Sequence, residues 1–312
     1  MIDDEWRKEY WTRRYLEDLS DPELRGRGQD ALRNLTTINP TGKISALPLD
    51  HRWHSFWRMR FVHFLEECVI RFGPYPDGLG KEFIDELRIP NPNSKRVIAA
   101  LKALDHSTLV DGKYLVKYGK HEHLERMLHD GTVRISPASA YNDLTLNDAI
   151  RDTELEFSYR LHNPAADDVR PYLNGDDVDP RLLEGSAIIT QTAKEDFYLF
   201  CVSATYDPRL FDDFDAEACL LITDPVAFCE RLIWTVHHGI DARGHAFSAV
   251  TYVDPFTETG KGVHLALRKN ARFAYQDELR AVWLTRNSTS PLSPQSVALG
   301  CLSDIASLID LT

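Results

Sequence analysis

The apolar pattern of this chain changes period once, near residue 106, and that change limits the fold more than any other feature. Before it, apolar residues recur every three or four positions, as on one face of a helix. Trp6, Tyr10, Trp11, Tyr15 and Leu19 follow that spacing. Asp21-Pro22-Glu23 is a helix start, with proline in the first turn. From Pro48 to Phe72, Trp53, Phe56, Trp57, Phe61, Phe64, Leu65 and Cys68 predict one long amphipathic helix. Gly73-Pro74-Tyr75-Pro76 ends it. Shorter helices are expected near 79–88 and 93–105, the second capped by Asn93.

Beyond Asp105 the texture is that of strands. Residues 113–118 are β-prone, a helix is expected from His121 to His129, and Asp130-Gly131 stops it. Strands are predicted at 132–136, 186–192, 197–204, 217–222, 246–253 and 279–284. Asp224-Pro225 opens a helix running to about Trp234. No regular strand–helix–strand beat appears, so a mixed, mainly antiparallel sheet is expected rather than a doubly wound one. The fold class is therefore α+β, with a helical domain at 1–106 and a sheet domain at 107–312. The Asp-, Pro-, Gly- and Asn-rich segment 162–185 is expected to be an exposed loop.

The formal net charge of -12 argues against non-specific binding to duplex nucleic acid, which depends on neutralising phosphates. No apolar run approaches the roughly 20 residues that cross a bilayer. The acidic start, Met1-Ile2-Asp3-Asp4-Glu5, lacks an apolar leader segment. The five cysteines, Cys68, Cys201, Cys219, Cys229 and Cys301, are widely spaced and form no C-x-x-C pair. They predict free thiols in a reducing, cytoplasmic setting, with no membrane partner.

No P-loop, G-x-G-x-x-G, H-E-x-x-H or G-x-S-x-G motif is present. His51 and His54 are three apart and could hold a metal, but a helix face carrying Trp53, Phe56 and Trp57 points to structural or surface histidines. His121 with His123 and His237 with His238 lack a matching carboxylate or cysteine cluster, so no metal site is expected. The aromatic residues of 1–72 have the spacing of core packing rather than of a base-stacking surface.

Three segments of the second part stand out together. The first runs from Leu115-Val116-Lys117-Tyr118-Gly119 through the following helix to Tyr141-Asn142-Asp143. The second, Phe200-Cys201-Val202-Ser203-Ala204-Thr205, is an apolar strand ending in two hydroxyls. The third, Tyr275-Gln276-Asp277-Glu278-Leu279-Arg280, sets a carboxylate at the mouth of an apolar strand. Their order resembles the ADP-ribosyltransferase superfamily. Within it, the pattern is most similar to uncharacterised bacterial domains with a K-Y start, an N-D turn and a late E-x-R strand. The resemblance covers about residues 113–290 and leaves the N-terminal helices aside. It implies a split β-sheet, NAD as co-substrate, and a role among bacterial toxins or phage-defence effectors.

The resemblance also implies residue roles. Gln276-x-Glu278 matches the catalytic Q-x-E motif, and Ser203 with Thr205 loosely matches the hydroxyl-bearing strand. Lys117 or Tyr118 stands where arginine or histidine is usual. Cleaving the nicotinamide–ribose bond builds positive charge on the ribose, as glycoside cleavage does. A fixed carboxylate at Glu278 stabilises that charge. Gln276 then orients the acceptor, Ser203 and Thr205 position the ribose, and Lys117 meets the pyrophosphate. Tyr118 and Tyr141 are available to stack on nicotinamide or adenine. Asn142-Asp143 forms a turn at the pocket rim. The acceptor is left open between protein, nucleic acid and water, and the helical part between target recognition, covering the site and binding a protein partner. Two other readings stay open: an inactive ligand-sensing or interaction module, and a metal-dependent nucleic-acid enzyme using Asp212, Asp213 and Asp215.

Overall fold

A computed structural model of the chain describes residues 2–74, 89–104, 109–110, 112–170, 185–257, 262–286 and 291–311. The expected helix at 79–88 and residues 171–184 of the expected loop lie outside the described residues. The fold is α+β with mostly antiparallel sheets. No helix among the described residues is long and apolar enough to cross a membrane.

Helices α1 (Ile2–Arg13), α2 (Asp21–Leu35) and α3 (His54–Phe72) form the N-terminal part. A small hairpin of β1 (Thr36–Ile38) and β2 (Ile44–Ala46) sits between α2 and α3. That hairpin was not expected from the helical texture. Helix α2 starts where Glu23 accepts the backbone N–H of Ser20 at 2.8 Å, with Pro22 in the first turn. The long helix begins at His54 rather than Pro48, because the chain first turns back, His51 donating to the Pro48 carbonyl at 3.0 Å. Helix α4 (Lys95–Ala103) has Ser94, not Asn93, at its N-cap.

The main sheet is built around β7 (Tyr198–Ser203). Along one edge it pairs β12 (Glu278–Thr285), with Ser203 opposite Glu278 and Tyr198 opposite Trp283. Its other edge is shared. β3 (Leu115–Gly119) meets it only at Ser203, and β4 (Thr132–Pro137) only at Leu199 and Tyr198. The sheet therefore forks between these two strands. One branch continues from β3 to β8 (Ala218–Ile222) and β14 (Ala306–Asp310), the other from β4 to β13 (Gln295–Ala298). On the far side β12 pairs β9 (Ala242–Ala249).

Helices α5 (His121–Asp130) and α8 (Pro225–Gly239) cover one face, where Leu124, Met127, Phe228 and Leu232 pack on Phe200, Leu220 and Trp283. The short helices α6 (Ala166–Val169) and α7 (Pro208–Asp213) come between them in the chain, and the short strand β11 (Arg268–Asn270) follows α8. Helix α5 stops at Gly131, whose φ of 66° is left-handed. A Cβ there would stand 2.0 Å from the backbone oxygen of Gly300, so only glycine fits. Helix α8 starts at Asp224, which accepts from the Ala227 N–H at 3.0 Å. It runs past Trp234 to Gly239. The predicted strand at 246–253 is two strands, β9 and β10 (Thr251–Val253). The start of the expected loop, His162, instead ends β5 (Glu156–His162), which pairs β6 (Ser186–Thr192) as a hairpin.

The N-terminal helices share a core with the second part. Ala31 and Trp57 pack with Val250, Tyr252 and Phe273. Asp254 accepts from Arg27 of α2 at 2.6 Å and from Arg60 of α3 at 2.7 Å.

Candidate active site

A cavity of about 390 Å³ opens at the fork. Lys117 and Tyr118 of β3, Cys201 and Ser203 of β7, and Gln276 and Glu278 at the start of β12 line it. Tyr141, Glu154 and Lys269 also line it, and Lys120 and Asp215 stand in the wall as an ion pair. At Cys201 the two branches have parted, and its carbonyl takes the Lys117 ammonium at 2.8 Å in place of a strand N–H. The same ammonium lies 4.6 Å from the centre of the Phe200 ring.

Glu278 anchors a chain of buried charges. One carboxylate oxygen accepts from Arg280 Nε at 2.8 Å, and the other is bound by the Lys269 ammonium. Arg280, wholly buried, grips Glu154 with both terminal nitrogens, at 2.6 and 2.8 Å. Two carboxylates thus face two cations, and the set is balanced. Such a set costs desolvation, which the hydrogen bonds offset only while every partner is present. Burial pushes the Glu278 carboxyl up, but the Arg280 and Lys269 charges outweigh it and hold it below the usual carboxylate range. At Glu154 burial outweighs Arg280, so this carboxyl is the first of the two to take a proton. Burial, with Glu278 adding to it, pushes the Cys201 thiol up to about 12, so it is a thiol at neutral pH.

Lys117 is the cation this balance leaves over. Among the described residues no carboxylate forms an ion pair with it. Burial lowers its pKa, and the nearby Glu278 charge opposes that. Of the three lysines that line the cavity, Lys269 and Lys120 are paired with carboxylates and Lys117 is held by a neutral carbonyl.

Local backbone explains how Gln276 and Glu278 come to share this wall. Asp277 between them has φ 45° and ψ 52°, a left-handed turn that a short polar side chain tolerates. Gln276 accepts from Lys269 at 2.9 Å and donates to the Ala149 carbonyl at 2.7 Å. The backbone N–H of Glu278 donates to the Tyr252 hydroxyl at 2.8 Å.

The other expected site residues divide. Ser203 lines the cavity, but its hydroxyl lies 2.8 Å from the Gln276 carbonyl and 2.9 Å from that of Thr205, so it clamps backbone. Thr205 faces a second cavity of about 230 Å³, with His51, Trp53 and Asp277. The Tyr118 hydroxyl accepts from Asp207 N–H at 2.8 Å, and its ring packs edge-on to Phe211. Tyr141 is half-buried against the wall. Asn142 and Asp143 are exposed and outside the lining. Asp143 closes a turn by accepting from Thr145 N–H at 2.8 Å. Asp212, Asp213 and Asp215 go to separate partners: Ser94, Arg209, and Lys120 with Arg96. The one group of three or more possible metal ligands among the described residues is Glu17, Asp18 and His162.

Sequence reasoning missed Glu154 and Lys269. Arg280 was visible in the E-x-R pattern, but its position between two carboxylates was not. Lys269 precedes Glu278 by nine residues across a 3-10 turn, a spacing with no helical or strand period to flag it. Comparison with family models, with curated proteins and with solved structures finds no match.

Proposed function

We propose that the cavity at the fork binds NAD and cleaves its nicotinamide–ribose bond, as ADP-ribosyltransferase-like enzymes do. One observation carries this reading: Lys117, Ser203 and Glu278, from three different strands, line one cavity. The forked, mostly antiparallel sheet supports it, as does a volume within the range of small-molecule sites. In this reading Lys117 moves from the Cys201 carbonyl to the dinucleotide phosphates, and Tyr141 stacks on a ring. The C1′–N bond breaks with its electron pair leaving on nicotinamide. Glu278 stabilises the positive ribose and accepts from its 2′-hydroxyl, which displaces Lys269 from one oxygen. An acceptor, water included, then bonds C1′ and loses a proton. Arg280, itself fixed by Glu154, keeps Glu278 oriented. Thr205, Asn142 and Asp143 have no part in this cavity.

A second reading is binding without turnover. It is favoured by the double pairing of Glu278, which leaves the carboxylate no net charge to offer a cation. Nicotinamide release by the full chain, with and without cell lysate as acceptor source, separates the two. The enzyme reading expects release that is lost in Glu278→Gln and in Lys117→Met, with folding checked by circular dichroism. Thermal stabilisation by NAD without release supports binding alone. Neither release nor stabilisation overturns both.

A further inference from the structure

Away from the cavity, the fold joins histidines that the sequence keeps apart. His237 lies in the last turn of α8 and His245 in β9, against which α8 packs. Their Nδ1 atoms are 3.0 Å apart, with ring planes at 84°. His245 is exposed and His237 partly so. Two neutral imidazoles meeting through the same nitrogen share one proton: one donates and the other accepts. With both protons on Nε2, two lone pairs instead face a single gap. Metal–imidazole bonds of about 2.0–2.1 Å at a right angle set their nitrogens about 2.9 Å apart. The observed separation matches that right-angled arrangement, whereas a tetrahedral ion would need the nitrogens about 3.3 Å apart.

We infer that His237 and His245 form a two-nitrogen chelate for a borderline divalent transition ion, with water in the remaining positions. Nitrogen donors without carboxylate favour Cu²⁺, Ni²⁺ and Zn²⁺ over Mg²⁺ and Ca²⁺, with Cu²⁺ held most tightly. His238 belongs to the rim: its ring stacks on Trp234 at 6.1 Å between centroids. Trp234 is 55% exposed, and its ring centroid is 5.2 Å from that of His245, close enough to report a bound Cu²⁺ by quenching. The sequence shows His237 and His238 alone. His245, separated by the α8–β9 turn, becomes a partner only in the folded chain.

The test uses the full chain without a histidine tag. Cu²⁺ is titrated against tryptophan emission, and Ni²⁺ and Mg²⁺ by calorimetry. The expected result is saturable quenching by Cu²⁺ and a single Ni²⁺ equivalent, both lost in His237→Ala and in His245→Ala, with no heat from Mg²⁺. Trp234→Phe loses most of the quenching and keeps the Ni²⁺ equivalent. A wild-type chain that takes no Ni²⁺, or a His245→Ala chain that still takes it, overturns the assignment. The second result would place the ion elsewhere, Glu17, Asp18 and His162 included.

Discussion

Two of the buried ion networks among the described residues differ in balance. At the fork, Glu278 and Glu154 face Arg280 and Lys269, two charges against two. Between the helices and the second part, Arg27 and Arg60 converge on Asp254, with the Asp30 carboxyl near Arg27. Both guanidiniums there lie over aromatic rings: Arg27 is 5.0 Å from the centre of Phe256, and Arg60 is 4.8 Å from that of Phe56. Asp254 is fully buried, and burial raises its carboxyl while the two arginines more than reverse that. The fork network instead borders open space. The Asp254 network joins elements; the fork network presents groups to whatever enters the cavity.

The most severe break is Asp254→Ala. It takes from two buried guanidiniums the carboxylate that both are paired with, and the expected loss is about 5 kcal/mol, read by urea unfolding. Arg280→Met should cost less, about 3 kcal/mol, since Glu278 keeps Lys269. If Arg280→Met were the more damaging, the fork would be the principal brace and the contrast would fail.

Acid should act beside the Asp254 network, through His63. Its Nε2 lies 3.0 Å from the Trp6 carbonyl and its Nδ1 is 3.2 Å from the Tyr15 hydroxyl, a pattern that suits the neutral ring. Burial, then the Arg60 charge, lowers its pKa to about 4. The unfolded chain therefore binds a proton that the folded one refuses. Stability from this group is complete above pH 6.5 and is lost as pH falls towards 4, about 3 kcal/mol in all. His63→Gln should flatten that part of the profile. An unchanged slope between pH 6.5 and 4 would assign the acid sensitivity to other groups.

The smallest expected effect is Lys117→Met, within about 1 kcal/mol of wild type by thermal unfolding, since it trades one hydrogen bond for relief of a buried charge. The same substitution should abolish NAD-induced stabilisation. A small change in stability with a large change in binding is what separates this residue from Asp254.

Local signals carried much of the architecture. The cap at Asp224, the stop at Gly131 and the apolar run at 198–203 are each legible within a few residues. Helix α3 begins late because the turn at Pro48–His51 keeps Trp53 out of the helix while leaving its ring on the apolar side. The hairpin at 36–46 and strands β13 and β14 escaped because their half-exposed residues show little alternation. Strand β5 does alternate, with Phe157, Tyr159 and Leu161 buried, and was overlooked. At the site, Glu278, Gln276, Lys117 and Ser203 stood in recognisable strand-end contexts. Glu154 did not: it follows a polar stretch, and only tertiary packing buries it against Arg280. Thr205 and Ser203, two residues apart, face different cavities because β7 ends at Ser203.

The fork has a thermodynamic consequence for any anion that enters. The Lys117 ammonium serves as a stitch, standing in for a strand bond that the parted branches cannot make. A ligand that draws it away competes with sheet cohesion for the same amine. Its affinity is then reduced by the worth of that stitch, about 1 kcal/mol or roughly fivefold. Occupancy and looseness of the fork are thus coupled: filling the cavity unpicks the seam beside it, and amide exchange around Cys201 should quicken as the site saturates.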